Sequence, residues 1–230
     1  MTNRLAILPA AGTSKRLPRK NILPIQNTPM LAYPINTCLQ SKLFDRVIVS
    51  TEDSEIANIA EAEGASVHKR DKSLSTDEAS IAQVCMALLT ELATEGYRPD
   101  TFCCVYATAI FLTPTDLTDS FALLGQEDNT RMVVGVSSFN LQPHQAMFEN
   151  DGYLEAMWPD VIRKKSQQIP ELVASNGTLI WTKTSEFLEE TGFPASKIRG
   201  YRIPYFRAID IDTPEDYRTA SLLARQQKIQ

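Results

Sequence analysis

Short apolar runs alternate with stretches of helical spacing along most of the chain. Leu5-Ala-Ile-Leu8 is a continuous apolar run ended by Pro9, which predicts a buried strand. Residues 10–27 carry no helical period and hold Gly12, Pro18 and Pro24, so a long loop is expected there. Thr28-Pro29 reads as the cap and first turn of a helix reaching about Gln40. Val47-Ile-Val49 predicts a second strand, and Asp53 or Ser54 caps a helix ending near Gly64. Ser66-Val-His68 predicts a short strand, Asp77 to Leu92 a helix, and Phe102 to Tyr106 a buried strand. Thr113-Pro114 opens another helix to about Leu124, and Met132 to Val136 is the next strand. This βαβαβαβαβ order implies an α/β fold with a largely parallel sheet and helices on both faces.

The pattern breaks over 139–172, which holds Pro143, Pro159 and Pro170 with scattered aromatics and no clear period. That stretch is expected to leave the core as a flap or a dimer arm. The core resumes at Leu179-Ile-Trp181. A helix follows near Ser185–Glu190, then a strand near Tyr201–Ile203 and an extended Ala208-Ile-Asp-Ile-Asp212, and Thr213-Pro214 opens the last helix. With 230 residues and no internal repeat, one domain over 1–230 is expected.

Composition narrows the function classes. No apolar run reaches the roughly 18 residues of a membrane span, and the N-terminal stretch, with Arg4 before it and Pro9 within it, lacks a signal-peptide layout. A net charge of −5 argues against a general nucleic-acid binder. His68 and His144 are too few and too far apart for a zinc site. Cys38, Cys85, Cys103 and Cys104 form no CxxC pair, and adjacent Cys103 and Cys104 on a strand would point to opposite faces. Packed core thiols in a reducing cytoplasm are the expectation.

Charge is unevenly spread. The first acidic residue is Asp45, while Arg4, Lys15, Arg16, Arg19, Lys20 and Lys42 precede it. A solvated loop is one reading of such a cluster. The company it keeps gives another. Pro9-Ala-Ala-Gly-Thr-Ser14 places small residues after a strand, where backbone N–H groups can approach a ligand, and four cations follow. In a parallel sheet this loop lies at a strand's carboxyl end, where ligands bind, and a polyphosphate suits it. The spacing matches neither GxGxxG nor GxxxxGK[ST].

At the far end, Asp210 and Asp212 alternate along an extended segment, so both carboxylates face one side. A hard divalent cation would relieve their repulsion. The competing reading makes Asp212 with Thr213 a helix cap and leaves Asp210 exposed. Glu215 and Asp216 suit the helix N-terminus better than a metal. His68, Trp158 and Trp181 read as packing residues.

These segments resemble the nucleotidyltransferases that activate sugars, most closely the cytidylyltransferases of acidic nine-carbon sugars. That family reads P-A-R-G-G-S-K-x-x-P-x-K-N where this chain has Pro9-Ala-Ala-Gly-Thr-Ser-Lys15, then Pro18 and Lys20-Asn21. Arg70, with Ser75-Thr-Asp77 and Ser80, resembles its R-x-x-x-L-x-x-D-x-x-S, which holds ribose and base. Asp77 is also open to a helix-cap reading. Tyr106-Ala-Thr-Ala109 is similar to the Y-A-T-A-P-F of members that take pseudaminic acid, where those that take sialic acid have Q-P-T-S-P. Asn176-Gly177 falls where the family has N-G before a strand. Asp210-Ile-Asp-Thr-Pro-Glu-Asp216 matches its D-I-D-T-P-E-D ending. Two positions depart: Ala11 stands where an arginine faces the triphosphate, so either one phosphate contact is missing or Arg16 or Arg19 substitutes for it, and Ile110 stands where a proline turns the backbone beside the sugar.

The resemblance implies a Rossmann-like nucleotidyltransferase fold with an inserted dimerisation arm at 139–172. It implies CTP and a nonulosonic acid as substrates, pseudaminic acid favoured, with Mg²⁺ (or Mn²⁺) as cofactor. Sialic acid, an eight-carbon ulosonic acid, or a silent nucleotide-binding role are the alternatives. A cytoplasmic homodimer that binds neither nucleic acid nor membrane is expected. Pro9, Ala10, Ala11, Gly12, Ser14, Lys15, Arg16, Lys20, Asn21, Arg70, Asp77 and Ser80 would hold the nucleotide. Tyr106, Thr108, Ala109, Asn176 and Gly177 would face the sugar. Lys15 and Lys20 would act in catalysis with Asp210 and Asp212, which would also hold the metal.

Overall fold

A computed structural model of the chain describes residues 3–76, 79–125, 129–139 and 141–227. The chain opens with β1 (Arg4–Pro9), whose four central residues are buried. Alternate residues of this strand serve different layers: Ala6 and Leu8 pack into one apolar cluster, Leu5 and Ile7 into another. Burial on both faces explains the unbroken apolar run.

After the loop, β2 (Pro24–Ile25) and β3 (Thr28–Pro29) form a small hairpin, and α1 (Ala32–Ser41) follows. Thr28-Pro29 is therefore a strand and not the start of the helix. Gln26 and Asn27 both take positive φ, 49° and 66°, which makes a tight two-residue turn and holds Pro29 extended. Next come β4 (Arg46–Thr51), α2 (Ser54–Ala62), β5 (Ser66–Lys69), α3 (Ile81–Thr94) and β6 (Thr101–Val105). Asp53 caps α2 by accepting from the Glu55 and Ile56 amides. Helix α3 begins later than the pattern suggested. Its cap is Ser80, in a reciprocal box with Gln83. Asp77 lies outside the described residues.

The chain continues through α4 (Pro114–Gly125) and β7 (Met132–Ser138) into the 139–172 stretch. There β8 (Met147–Asn150) and β9 (Tyr153–Ala156) pair with each other and not with the main sheet, and α5 (Pro159–Ile162) follows. Then come β10 (Val173–Lys183), α6 (Thr184–Glu189), β11 (Ile198–Arg202) and α7 (Pro214–Gln227).

The main sheet has seven strands in the order β11-β7-β10-β6-β1-β4-β5. All neighbours are parallel except β10, which runs antiparallel to both β6 and β7. The sheet is thus mostly parallel, as expected, with one reversal that the periodicity did not predict. Strand β10 follows a hairpin excursion instead of a crossover helix, so it enters the sheet from the opposite end. Residues 208–212 form no strand. Ile211 is nonetheless fully buried between Asp210 and Asp212, so the alternation survives.

Helices α1, α2 and α4 pack on one face with Cys103, and α3 and α6 on the other with Cys104. The two adjacent thiols do face opposite layers. A third cluster joins Leu17, Ile25, Met30, Tyr33, Ile110, Phe111 and Ile211 with Ala220 and Ala224 of α7. It binds the loop after β1, the loop after β6 and the 208–212 segment into one unit.

Candidate active site

From β1 the chain crosses through α1 to β4 and β5, then returns through α3 to β6 on the other side of β1. Such a reversal opens a crevice at the carboxyl ends of the strands. A cleft of about 620 Å³ lies there, lined by Pro9, Ala11, residues 13–16, Lys20 and Asn21, by Arg70 and residues 74–76, and by Tyr106, Ala107, Thr108, Asp210 and Asp212. Ile81, Val84 and Cys104 supply apolar surface.

The loop after β1 is fastened mainly through its backbone. The Ala10 amide donates to the Ser50 carbonyl at 3.0 Å, and Asn21 Nδ2 donates to the Ala11 carbonyl at 2.8 Å. The Gly12 amide donates to Glu52 Oε1 at 2.8 Å. A Cβ at Gly12 would stand 2.6 Å from Asp53 Oδ2. The glycine therefore permits close approach to Asp53, and neither it nor the buried Ala10 lines the cleft.

The cations divide. Lys15, Arg16 and Lys20 line the cleft. Arg19, at φ 59°, turns toward α2 and pairs with Asp53 and Glu55. Of the two arginines that could replace the one absent at position 11, only Arg16 stays at the cleft. Arg16 and Lys20 both reach Asp212, with Lys20 Nζ 2.6 Å from Oδ1. Burial pushes Asp212 upward, but these two cations outweigh it and hold the carboxyl below its ordinary range. Asp210 has no hydrogen-bond partner among the described residues, and burial, then the Asp212 charge, push it up. Asp216 caps α7 through the Thr213 amide and also accepts from the Asp212 amide at 3.2 Å, so it serves the helix N-terminus.

Arg70 is buried and spent on Glu52, which accepts from its Nε at 3.2 Å and Nη2 at 3.0 Å. Ser75 Oγ donates to the same carboxylate at 2.6 Å. Burial raises Glu52, but these donors together bring it below the usual carboxylate range. Glu52 thus joins the loop after β1, the loop after β5 and Arg70. The sequence reading missed it, although its place directly after a parallel strand was a usable signal.

Tyr106 directly follows β6 and lines the cleft, where burial, assisted by Cys104 and Asp210, pushes its phenol up to about 12. Thr108 lines the cleft as well. Ala109 does not: it packs in the core, and Ala107 takes its place at the cleft. Ile110 is buried in the third cluster and its amide donates to the Thr108 carbonyl at 2.9 Å, a bond a proline could not make. Asn176 is buried, with Oδ1 accepting from Thr178 Oγ1 at 2.6 Å and Nδ2 unpaired. Gly177, at φ 62°, lies so near Asp210 that a Cβ there would stand 3.1 Å from the carboxylate. Ser80 is committed to its helix cap and does not line the cleft. Trp181 is a core residue stacked on Phe44, with Nε1 donating to Ser120 Oγ at 3.0 Å.

Comparisons with known proteins bear on the family and the fold. The family described as cytidylyltransferase matches residues 5–151. A pseudaminic acid cytidylyltransferase of Campylobacter jejuni subsp. jejuni serotype O:2 is 30% identical over 221 residues, covering 95% of each chain. A CMP-N,N'-diacetyllegionaminic acid synthase of Legionella pneumophila subsp. pneumophila is 27% identical, covering 93% of this chain and 92% of its own. Among solved structures, a CMP:2-keto-3-deoxy-manno-octonic acid synthetase complexed with CTP superposes with a TM-score of 0.74 at 14% identity, over 98% of this chain and 100% of that one. The last likeness concerns the fold alone. A parallel sheet reversing at β1, a basic loop at that reversal and a matched family profile lead to one conclusion: the chain belongs to the cytidylyltransferase family.

Proposed function

We propose that this chain joins CTP to a nine-carbon ulosonic acid, pseudaminic acid favoured, to give a CMP-sugar and pyrophosphate. The observation that carries the reading is one cleft bearing Lys15, Arg16 and Lys20 together with Arg70, Tyr106 and the Asp210–Asp212 pair. The relative at 30% identity over nearly the whole chain favours pseudaminic acid among the sugars.

In this reading the 2-hydroxyl of the sugar attacks the α-phosphate in line. The new P–O bond forms as the bond from the α-phosphorus to the bridging oxygen breaks, pyrophosphate leaves with that electron pair, and the hydroxyl proton passes to solvent. Lys15 and Lys20 stabilise the charge that develops on the transferring phosphate and the leaving group. Arg16 lends its charge to the phosphates from the cleft wall, and Ala11 leaves the family's arginine contact open. Arg70, oriented by Glu52, borders the ribose and base, and Tyr106 with Thr108 borders the sugar.

The donor set fits a hard divalent ion. Asp210 and Asp212 both line the cleft from one segment, and burial, then the Asp212 charge, push Asp210 upward. When bound, Mg²⁺ or Mn²⁺ would neutralise phosphate charge and acidify the attacking hydroxyl.

The hairpin of the 139–172 excursion exposes Met147, Phe148, Tyr153 and Leu154, and Met157 and Trp158 just after it are exposed too, so Trp158 is not the packing residue its sequence context suggested. That apolar surface supports a homodimer in which the excursion pairs with a second copy. The four cysteines are free and buried, in keeping with a reducing cytoplasm. No described helix is long and apolar enough to cross a membrane. The chain is read as one nucleotidyltransferase domain over 1–230.

Pyrophosphate release on mixing the protein with CTP and pseudaminic, sialic, legionaminic or eight-carbon ulosonic acid tests the reading. Release with CTP and a nonulosonic acid, and not with UTP or ATP, is expected. Tight CTP binding with no release for any sugar would overturn it in favour of a silent nucleotide binder.

A further inference from the structure

The segment that carries Asp210 and Asp212 has no strand to hold it, yet it must keep a fixed place opposite Tyr106. Directly before it, residues 205–207 form a single turn, and Arg207 reaches out of that turn into the core. Its Nη1 donates to Asp116 Oδ2 at 2.6 Å and its Nη2 to Asp116 Oδ1 at 3.1 Å. The same Nη1 donates to the Phe111 carbonyl at 3.2 Å. Asp116 is 2% exposed, in the first turn of α4. Its remaining capacity is filled by Thr113, through the amide and hydroxyl, and by the Tyr201 hydroxyl at 3.0 Å.

One planar guanidinium therefore ties together two loops that both contribute to the cleft. One is the 106–112 loop, reached through Phe111 and through the helix that this loop leads into. The other is the 205–212 segment. A two-pronged bond fixes direction as well as distance, which a lysine cannot do. Asp116 is buried among satisfied partners, Arg207 is partly buried with 21% of its side chain exposed, and Arg207 is not itself a lining residue of the cleft.

We propose that Arg207, acting through its fork on Asp116, is a positioning residue that sets Asp210 and Asp212 against Tyr106 and Thr108. The consequence for turnover rests on the function proposed above. The geometric claim does not, so its first readout uses the protein without substrate.

Amide hydrogen exchange followed by mass spectrometry reads the two loops directly. The amides concerned are hydrogen-bonded: Ala109 to Tyr106, Leu112 to Ala109, and Ala208 to Tyr205. In Arg207→Lys, exchange over 106–112 and 205–212 should quicken together by about tenfold, while residues 9–21 stay as in the parent. Exchange that quickens in 205–212 alone, or in neither segment, overturns the proposal. Arg207→Gln strands a buried charge on Asp116. If that variant does not fold, the charge-free pair Asp116→Asn with Arg207→Gln carries the same measurement and the same two outcomes.

Kinetics then separate positioning from mere stability. For folded Arg207→Lys, calorimetric CTP affinity should stay within twofold while kcat falls at least tenfold. The Mg²⁺ concentration for half-maximal rate should rise severalfold. Losses in CTP affinity and kcat that both track the folded fraction would show a purely structural role and overturn the proposal. A parent protein with no turnover at all would count against the proposed function, and the exchange result would still decide the geometry.

Discussion

Glu52 accepts from both Nε and Nη2 of Arg70, and the same carboxylate holds the Gly12 amide. A carboxylate with only 12% of its side chain exposed thus couples the two loops read here as gripping the nucleotide. Glu52→Gln keeps the shape but removes the charge that balances Arg70. Breaking a buried pair in this way typically costs about 3–5 kcal/mol. Denaturant titration should show a loss of that order, and the KM for CTP should rise. The pH sign follows from the depressed carboxyl. Its contribution is present above the unfolded-state value and is lost as pH falls through the folded one. Acid titration of parent and Glu52→Gln should therefore converge at low pH, and a constant gap down to pH 2 would refute the assignment.

Arg16 and Arg19 are three residues apart, yet only Arg16 lines the cleft. Arg19 is tied to α2 through Asp53 and Glu55. Arg16→Gln should raise the KM for CTP with little change in Tm. Arg19→Gln should lower Tm, because it uncouples the loop from the helix cap, with a smaller effect on KM. Ala11→Arg, at a position that lines the cleft, should lower the KM by roughly tenfold if one charge-assisted hydrogen bond of about 1.5 kcal/mol is regained. Unchanged binding in Ala11→Arg would mean that Arg16 already fills the place.

The contrast between these arginines marks where sequence reasoning stops. Sheet class and strand positions were legible because burial on two faces writes continuous apolar runs, as in Leu5–Leu8. The basic loop and the aspartate pair were legible because their residue types are rare in such company. Direction was not. Nothing in the sequence tells Arg16 from Arg19, because the left-handed φ at Arg19 depends on the whole loop path. The Gln26-Asn27 turn was missed because its second residue is Asn and not the usual Gly. The reversal of β10 was missed because apolar patterning carries no sign for strand direction. The pairings of Glu52 with Arg70 and of Asp116 with Arg207 were missed because partners 18 and 91 residues apart leave no local trace.

Asp210 and Asp212 should respond to neutralisation in opposite ways. Asp210 is pushed upward by burial and by Asp212, so ionising it opposes folding. That opposition is absent at low pH, grows as pH rises through the unfolded-state value, and is complete above the folded one. Asp210→Asn should therefore raise Tm slightly at pH 7 and not at pH 3, the gain kept small because Asp210 remains exposed to solvent. Asp212 is held down by Lys20 and Arg16, so Asp212→Asn should lower Tm at pH 7. Both should lose activity. A metal ligand of this kind is expected to carry about two orders of magnitude in kcat/KM, or about 3 kcal/mol. Near-normal turnover of Asp212→Asn at saturating Mg²⁺ would remove the metal assignment.

In the proposed function, sugar choice turns on Tyr106. Its ring stands at the end of β6, half-buried, and lines the cleft beside Ala107 and Thr108. Its phenol, pushed up to about 12, stays protonated at neutral pH and presents a neutral, largely apolar surface. The sialic acid members of the family carry a glutamine at this position, which can hydrogen-bond to polar sugar substituents. Pseudaminic acid ends its side chain in a methyl group and carries a second acetamido group, so it is the less polar of the two sugars. A sialic acid hydroxyl buried against the Tyr106 ring without a partner would cost about 1–3 kcal/mol. Preference for pseudaminic over sialic acid should therefore reach at least tenfold in kcat/KM, since about 1.4 kcal/mol corresponds to a factor of ten. Tyr106→Gln should narrow that ratio, chiefly by improving sialic acid. Tyr106→Ala should weaken both sugars, because it removes the wall without adding a donor. The KM for CTP should move little in either variant. Equal use of both sugars by the parent protein would leave Tyr106 as a packing residue at a strand end, and specificity would then have to come from other residues.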